Sequence, residues 1–315
     1  MPEQIKYNCL VAPLQGLTTG AWRRVHRAMF PGATYVTPFL RIERGDVRQR
    51  DLNDLDPESD VEDTIPQVIA NGPDEFSRLV DAALERGFNR VNLNAGCPHP
   101  PQISRHRGSA LVCDADRLTA IASEMARYGD VTFSLKLRLG IDAADQWRES
   151  IEVINSMPIE WVAIHGRTAR QMYKGDIDIE AMEQFAQACA HPVIYNGNIN
   201  SVGRIRAVPA DFAGVMAGRG VVTRPSLFHE LSTDTKVDEQ ARVRDFVEML
   251  NRLADVLSQR LQGDSQLLSH LLPYWQLMAD TLPPRAVKEI LKSRTMAKYN
   301  AALARFTTQL SHLGL

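Results

Sequence analysis

Short apolar runs recur along this chain, and each stops abruptly on polar residues or glycine. Val91–Leu93 leads into Asn94-Ala95-Gly96-Cys97-Pro98, and Val131–Leu137 carries Lys136 and stops at Arg138. Trp161–Ile164 precedes His165-Gly166-Arg167-Thr168, Pro192–Tyr195 precedes Asn196-Gly197-Asn198, and Ala213–Ala217 precedes Gly218-Arg219-Gly220. Eight such runs fall at about 8–13, 34–38, 66–70, 89–94, 131–137, 160–164, 192–195 and 212–217, with helical patterns between most of them. In one of those patterns Phe76, Leu79, Val80, Ala83 and Leu84 follow the i, i+3, i+4, i+7, i+8 spacing of a single apolar helix face. Alternation of this kind implies βα units joined into a parallel sheet. Eight strands favour closure, so the fold class read from the sequence is α/β, a (β/α)8 TIM barrel. Such barrels collect their functional groups at the C-terminal strand ends, which is where the polar residues stand.

A barrel needs roughly 250 residues, and this chain has 315. The remainder is accounted for after about residue 235, where strand runs cease. Val243, Phe246, Val247, Leu250, Leu253, Val256 and Leu257 form one helical stripe, and Leu267–Met278 and Arg285–Leu310 suggest further helices. The expected organisation is a catalytic barrel over 1–234, a polar linker at Ser232–Lys236 and a small helical domain over 237–315. Within the last stretch Arg285, Lys288, Lys292, Arg294, Lys298 and Arg305 face only Glu289. Positions 285, 288 and 292 share a helix face, giving either a solvated surface or a cationic stripe for a polyanion.

Several classes are disfavoured. No apolar stretch reaches the ~18 residues of a membrane helix, and Met1–Lys6 lacks the apolar core of a signal peptide. The four cysteines, Cys9, Cys97, Cys113 and Cys189, have no CxxC spacing, which argues against a disulfide scaffold or metal site. A reducing, cytoplasmic setting and a monomer without membrane contact are expected. No G-x-G-x-x-G fingerprint is present, so a Rossmann dinucleotide site is not supported.

The strand ends suggest particular chemistry. Asn196-Gly197 and Gly218-Arg219 follow the seventh and eighth runs, where many barrels hold phosphate on glycine N–H groups. Lys136 would point into the barrel mouth, where a phosphate, a ligand carbonyl or a carboxylate would satisfy it, as would an internal salt bridge. Gln67 sits at the same level on the third run and is suited to a planar heterocycle. Cys97 lies on a Gly/Pro turn, with Asn92 and Asn94 on one side of the preceding strand. A free cysteine is commonly a small buried hydrophobe. Presented in a pocket it is either a protonated general acid or, beside a base such as His165, a nucleophile.

Taken together, these pieces resemble the tRNA-dihydrouridine synthase family across essentially the whole chain. The resemblance is carried by Ala12-Pro13-Leu14-Gln15-Gly16, Pro66-Gln67-Val68, Asn94-Ala95-Gly96-Cys97-Pro98 and Gly108-Ser109-Ala110-Leu111. It continues through Lys136-Leu137-Arg138-Leu139-Gly140, His165-Gly166-Arg167-Thr168, Asn196-Gly197-Asn198 and Gly218-Arg219-Gly220. It implies an FMN flavoenzyme that uses NADPH to reduce uridine in tRNA, or in another structured RNA, to 5,6-dihydrouridine. Cys97 would give the proton to C5 of the uracil. Pro13, Leu14, Gln15, Gln67, Lys136, His165, Asn196, Gly197, Asn198, Gly218 and Arg219 would hold FMN. Asn94, Arg138 and His165 would read the uracil edge.

Three places depart from the family's pattern: Asn92-Leu93, Gln15, and the loop His99-Pro100-Pro101-Gln102 that replaces a usual lysine. Arg105, His106 and Arg107 are expected to restore a cationic grip on RNA phosphates beside Cys97, with Arg285, Lys288 and Lys292 as a second contact. The competing readings are an FMN reductase of a free pyrimidine and an RNA-binding flavoprotein that has lost catalysis.

Overall fold

The computed structural model of the protein describes residues 8–55 and 62–313; the N-terminal stretch Met1–Lys6 lies outside the described residues. Two compact units are formed. The larger takes in the chain up to Pro13, Thr34–Ile199 and Gly203–Ala217. It contains one parallel sheet of eight staves: β1 (Asn8–Val11), β2 (Thr34–Val36), β3 (Thr64–Ile65 with Gln67–Val68), β4 (Arg90–Ala95), β5 (Thr132–Arg138), β6 (Ile159–His165), β7 (Val193–Asn196) and β8 (Gly214–Ala217).

Each stave pairs in parallel with its neighbour in the chain, and β8 returns to pair with β1. β3 closes the ring in two pieces. Thr64–Ile65 pairs with β2, whereas Gln67–Val68 pairs with β4. Pro66 between them has no N–H to donate, but its carbonyl accepts the Asn92 N–H at 2.9 Å. The ladder thus survives the proline on one side only. All eight runs read from the sequence are strands of this barrel.

Leu10, Ala12, Val36, Ile65, Trp161, Ala163, Ile194 and Met216 form one buried apolar cluster, the packed interior of a small barrel. Strand parity places a polar set beside it. On β5, Phe133, Leu135 and Leu137 alternate with Ser134, Lys136 and Arg138, and the second set shares its face with Asn92 and Asn94 of β4. The helix Pro73–Leu84 follows β3 as its spacing requires, burying Phe76, Leu79, Val80 and Ala83. One element had no apolar signature: the hairpin Ile42–Glu43 with Asp46–Val47, inserted after β2.

The smaller unit comprises Leu14–Ala33, Asn200–Val202 and Gly218–Leu315. It is built from helices Gly20–Met29, Arg219–Thr223, Leu227–Thr233, Glu239–Ser258, Asp264–Met278, Pro284–Leu291 and Met296–Leu313. Asp234, left-handed at φ 51°, ends Leu227–Thr233, and the Asp238 carboxylate caps the next helix by accepting the Ala241 N–H at 2.7 Å. The stripe Val243, Phe246, Val247, Leu250, Leu253 and Leu257 is buried. Trp275 meets Phe246 and Phe306 edge to face at 5.2 and 5.4 Å and donates its indole N–H to the Tyr299 hydroxyl at 2.9 Å. Among the described residues no helix is long and apolar enough to cross a membrane.

His26 is buried in this unit, stacked on Trp22 at 4.6 Å, with Nε2 2.9 Å from the Pro225 carbonyl oxygen. Burial pushes its pKa down to about 4. The unfolded chain therefore binds the proton more readily than the folded one, so this contribution to stability is complete above pH 6.5 and is lost as pH falls towards 4. The shift corresponds to at most about 3 kcal/mol. In His26→Gln, the decline of the thermal midpoint between pH 6.5 and 4 should be visibly shallower than in the parent protein; parallel curves would show that His26 does not control acid stability.

Candidate active site

The turn bearing Cys97 is held by a side chain, not by a sheet ladder. The Asn94 carboxamide oxygen accepts the Gly96 N–H at 3.0 Å and the Cys97 N–H at 2.8 Å. Its amide nitrogen donates to Gln67 Oε1 at 2.7 Å, Gln67 Nε2 donates to Asn92 Oδ1 at 2.8 Å, and Asn92 Nδ2 donates to Ser134 Oγ at 2.9 Å. Three staves are thus tied by one buried chain of amides that ends on the Cys97 backbone. Gln67 is further fixed because its backbone N–H donates to Thr37 Oγ1 at 3.0 Å. Both Gln67 and Asn94, expected as ligand contacts, use their carboxamides in this network.

The far side of the turn is also closed. Ser109 N–H donates to the Cys97 carbonyl at 3.1 Å. Gly108 is left-handed (φ 62°), and a Cβ there would lie 2.7 Å from Cys97 Cβ. Only glycine allows this approach. The thiol itself is buried, next to Phe39 and Ile69, and desolvation pushes its pKa up. A thiol kept protonated at neutral pH is suited to donating a proton rather than to attacking as a thiolate.

Two cations stand on the same face of β5. Arg138 is a staple: its Nε donates to Gly96 O at 3.0 Å and its Nη1 to Thr168 O and Met172 O at 3.0 and 2.7 Å. Its guanidinium lies 5.4 Å from the Tyr173 ring centroid, and desolvation holds its pKa down to about 10. The strand register sets Arg138 opposite His165, and His165 opposite Asn196, so three expected site residues form one row across β5, β6 and β7. Lys136 is opposite Asn94. It makes no hydrogen bond or ion pair among the described residues, and desolvation, with Arg138 adding to it, pushes its pKa down to about 7. An internal salt bridge for Lys136 is absent among those residues; its amine lacks an anion.

The remaining expected residues are distributed as follows. Asn196 donates to the Met216 carbonyl at 2.8 Å, and Asn198, left-handed at φ 49°, accepts from Arg167 at 3.2 Å. Gly197 has no room for a side chain, since a Cβ would meet Ile177 at 2.9 Å. Pro13 is half-buried just past β1. In the smaller unit Leu14 and Gln15 belong to the tight turn closed by Leu17 N–H donating to Leu14 O at 3.0 Å, and Gly218 precedes the helix that begins at Arg219. Arg285, Lys288 and Lys292 are all exposed along and just past Pro284–Leu291. Arg105 is exposed, but Arg107 is not the free surface cation the sequence suggested. It is buried, donating through Nε to Glu75 at 2.9 Å, through Nη2 to the other Glu75 oxygen, and to Ile42 O at 3.2 Å. Pro100 and Pro101 do more than stiffen the loop: they open the helical turn Pro100–Ile103, the helix position best suited to proline.

Comparison with known proteins matches this arrangement to a family. The model of the family described as dihydrouridine synthase (Dus) matches residues 10–309. The chain belongs to the dihydrouridine synthase family. Among the curated relatives it matches, tRNA-dihydrouridine synthase B of Shewanella oneidensis is 29% identical over 270 residues, covering 81% of this chain and 82% of the relative. The protein of the same name from Pseudomonas aeruginosa is 25% identical over 264 residues, covering 82% and 79%. Of solved structures, morphinone reductase superposes with a TM-score of 0.53 at 12% identity over 74% of this chain and 87% of its own, a likeness of fold.

For this member of the family, Lys136 gives a test that separates binding from stability. A lysine whose folded pKa lies near 7 against an ordinary 10.5 penalises the ligand-free fold below that range, and stability rises with pH across it because the unfolded chain holds more protons. Lys136→Met should raise the thermal midpoint of the ligand-free protein and flatten its rise between pH 7 and 10. Equal midpoints for variant and parent at pH 7 would show that the amine is satisfied in the free protein.

Proposed function

We propose that the protein reduces uridine in tRNA to 5,6-dihydrouridine, with FMN as bound cofactor and NADPH as diffusible reductant. The observation that carries the reading is the desolvated, unpartnered Lys136 amine on the same barrel face as the Cys97 turn. A flavin fits that requirement, since its ring carries carbonyl oxygens and becomes anionic on reduction. When bound, it supplies the hydride for C6 of the uracil, which is chemistry side chains do not provide.

The chain's own residues do the rest. Lys136 compensates negative charge at the ring, which in turn favours its protonated form, and its place on β5 is set before reaction. Cys97 holds a proton on Sγ and delivers it to C5. The Asn94–Gln67–Asn92–Ser134 chain fixes where that sulfur is, and Arg138 clamps Gly96 on the other side. His165 and Asn196, in register with Arg138, line the adjoining strand ends together with Gly197 and Asn198. The parts of Leu14, Gln15, Gly218 and Arg219 in cofactor binding follow from the family resemblance alone. Arg285, Lys288 and Lys292 contact RNA phosphates, which position a substrate without reading its sequence. That stripe favours a polynucleotide over a free pyrimidine.

Two experiments check the reading. Purified protein should contain FMN, and Cys97→Ala should still accept electrons from NADPH while its single-turnover reduction of unmodified tRNA falls by ~10²–10⁴-fold, the usual worth of a general acid. Parent-like turnover in the alanine variant would mean that another group supplies the proton. Second, the triple change of Arg285, Lys288 and Lys292 to alanine should raise the Kd for tRNA and reduce the slope of log Kd against log salt. Binding that is unaltered at every salt concentration would leave the stripe as plain solvated surface.

A further inference from the structure

The hairpin after β2 and the loop after Cys97 share a peculiarity. The hairpin's two-residue turn, Arg44-Gly45, has both residues at positive φ, 55° and 87°. This is the primed turn geometry, which favours asparagine, aspartate or glycine at its first position. Arginine stands there instead. In the second loop His106, at φ 57°, follows the short helix Pro100–Ile103 in the left-handed position where chains usually place glycine or asparagine. Turn chemistry alone selects a basic residue at neither place. The side chains of Arg44, His106 and the neighbouring Arg105 are without a hydrogen bond or ion pair among the described residues.

Both loops line one open pocket, with Arg44, Arg105, His106, Arg107, Asn71 and Glu75 on its walls. Among the described residues its one lining carboxylate, Glu75, is already engaged. Glu75 takes two bonds from Arg107 and accepts the Asn71 N–H at 3.0 Å. Arg107, 4% exposed, has a buried Nη1 with no hydrogen-bond partner. The hairpin is anchored: Arg107 Nη2 donates to Ile42 O at 3.2 Å, Arg78 Nη2 donates to Gly45 O at 3.0 Å, and Arg48 pairs with Glu43 at 3.0 Å. Arg44 is therefore presented from a fixed turn. Three arginines and a histidine surround a cavity whose negative charge is internally neutralised.

We infer that this pocket is a phosphate-binding site, formed by Arg44 and His106 on its two lips with Arg105 beside them and the Arg107–Glu75 pair beneath. Phosphate oxygens accept charge-assisted bonds from several guanidinium groups at once, which is what the free donors here lack. Two sources carry such a group: the RNA backbone and the nicotinamide nucleotide. RNA is favoured by the covalent route to the thiol. From His106 the chain passes through Arg107 to Gly108, which is packed directly on Cys97, and Ser109, which is bonded to the Cys97 carbonyl. A backbone phosphate seated in the pocket would hold the polynucleotide at a set offset from the proton donor. This assignment rests on the proposed function, and it adds a contact from a hairpin that gives no sign of itself in the apolar pattern.

The test uses the FMN-loaded protein carrying Arg44→Gly with His106→Gly. Glycine relieves the left-handed conformations, so the thermal midpoint should hold or rise while both basic side chains are lost. Two quantities are read: Kd for an unmodified tRNA transcript across a salt series, and KM for NADPH in flavin reduction without RNA. The expected result is a Kd raised roughly tenfold at moderate salt, with the slope of log Kd against log salt reduced by about 1–2. A raised KM for NADPH with unchanged RNA binding would assign the phosphate to the nucleotide instead. Neither quantity changing in a folded variant overturns the site. Should the double variant not fold, Arg105→Ala, on an exposed position outside the strained turns, is measured in the same way and decides by the same criteria. Because RNA binding requires no turnover, a parent protein that binds tRNA yet forms no dihydrouridine would refute the proposed function without touching this result.

Discussion

A single carboxamide oxygen determines where the thiol stands. The stretch from Asn94 to Pro98 leaves the sheet and turns, and the buried Cys97 N–H and the half-buried Gly96 N–H are both accepted by Asn94 Oδ1. Leaving one such donor unsatisfied costs about 1–3 kcal/mol. The oxygen is held by its own amide, that amide by Gln67, and Gln67 by Asn92 and Thr37. Barrel closure matters for this reason. Gln67 sits immediately after the proline that divides β3, on the piece that pairs with β4, so the ring closes through the residue that aligns the Cys97 turn.

The polar face of β5 shows the opposite choice. Its three polar side chains have different fates: Ser134 is absorbed into the amide chain, Arg138 is spent on backbone carbonyls, and Lys136 is left without a counterion. Lys136 is half-buried with no carboxylate beside it among the described residues, which is the condition that the proposed anionic ring would meet. On the rim, Arg44 and His106 likewise occupy left-handed positions that the local backbone would give to glycine or asparagine. In both cases the fold tolerates a local cost, one electrostatic at Lys136 and one conformational at Arg44 and His106.

The barrel was legible because its signal is repetitive. Eight apolar runs with polar ends and helix-period stretches between them admit few arrangements, and the parity of Asn92 with Asn94 already set both on one strand face. What Asn94 and Gln67 bond to was not legible, because strand parity gives a side and no partner. Arg107 was misjudged for a related reason. In sequence it is one of three adjacent basic residues, and only the long-range approach of Glu75, 32 positions away, separates it from its neighbours. The hairpin escaped notice because two-residue strands rich in charge have no apolar period. Its one local clue was the glycine after Arg44.

Keeping Cys97 protonated has a bearing on the chemistry of damage. Peroxides, electrophilic drugs and alkylating reagents attack thiolates far faster than thiols. The burial that keeps this thiol protonated thus also shields the sulfur from becoming a sulfenic acid or a covalent adduct. On the proposed function, the protein keeps its proton donor through oxidative stress that inactivates enzymes relying on a cysteine nucleophile.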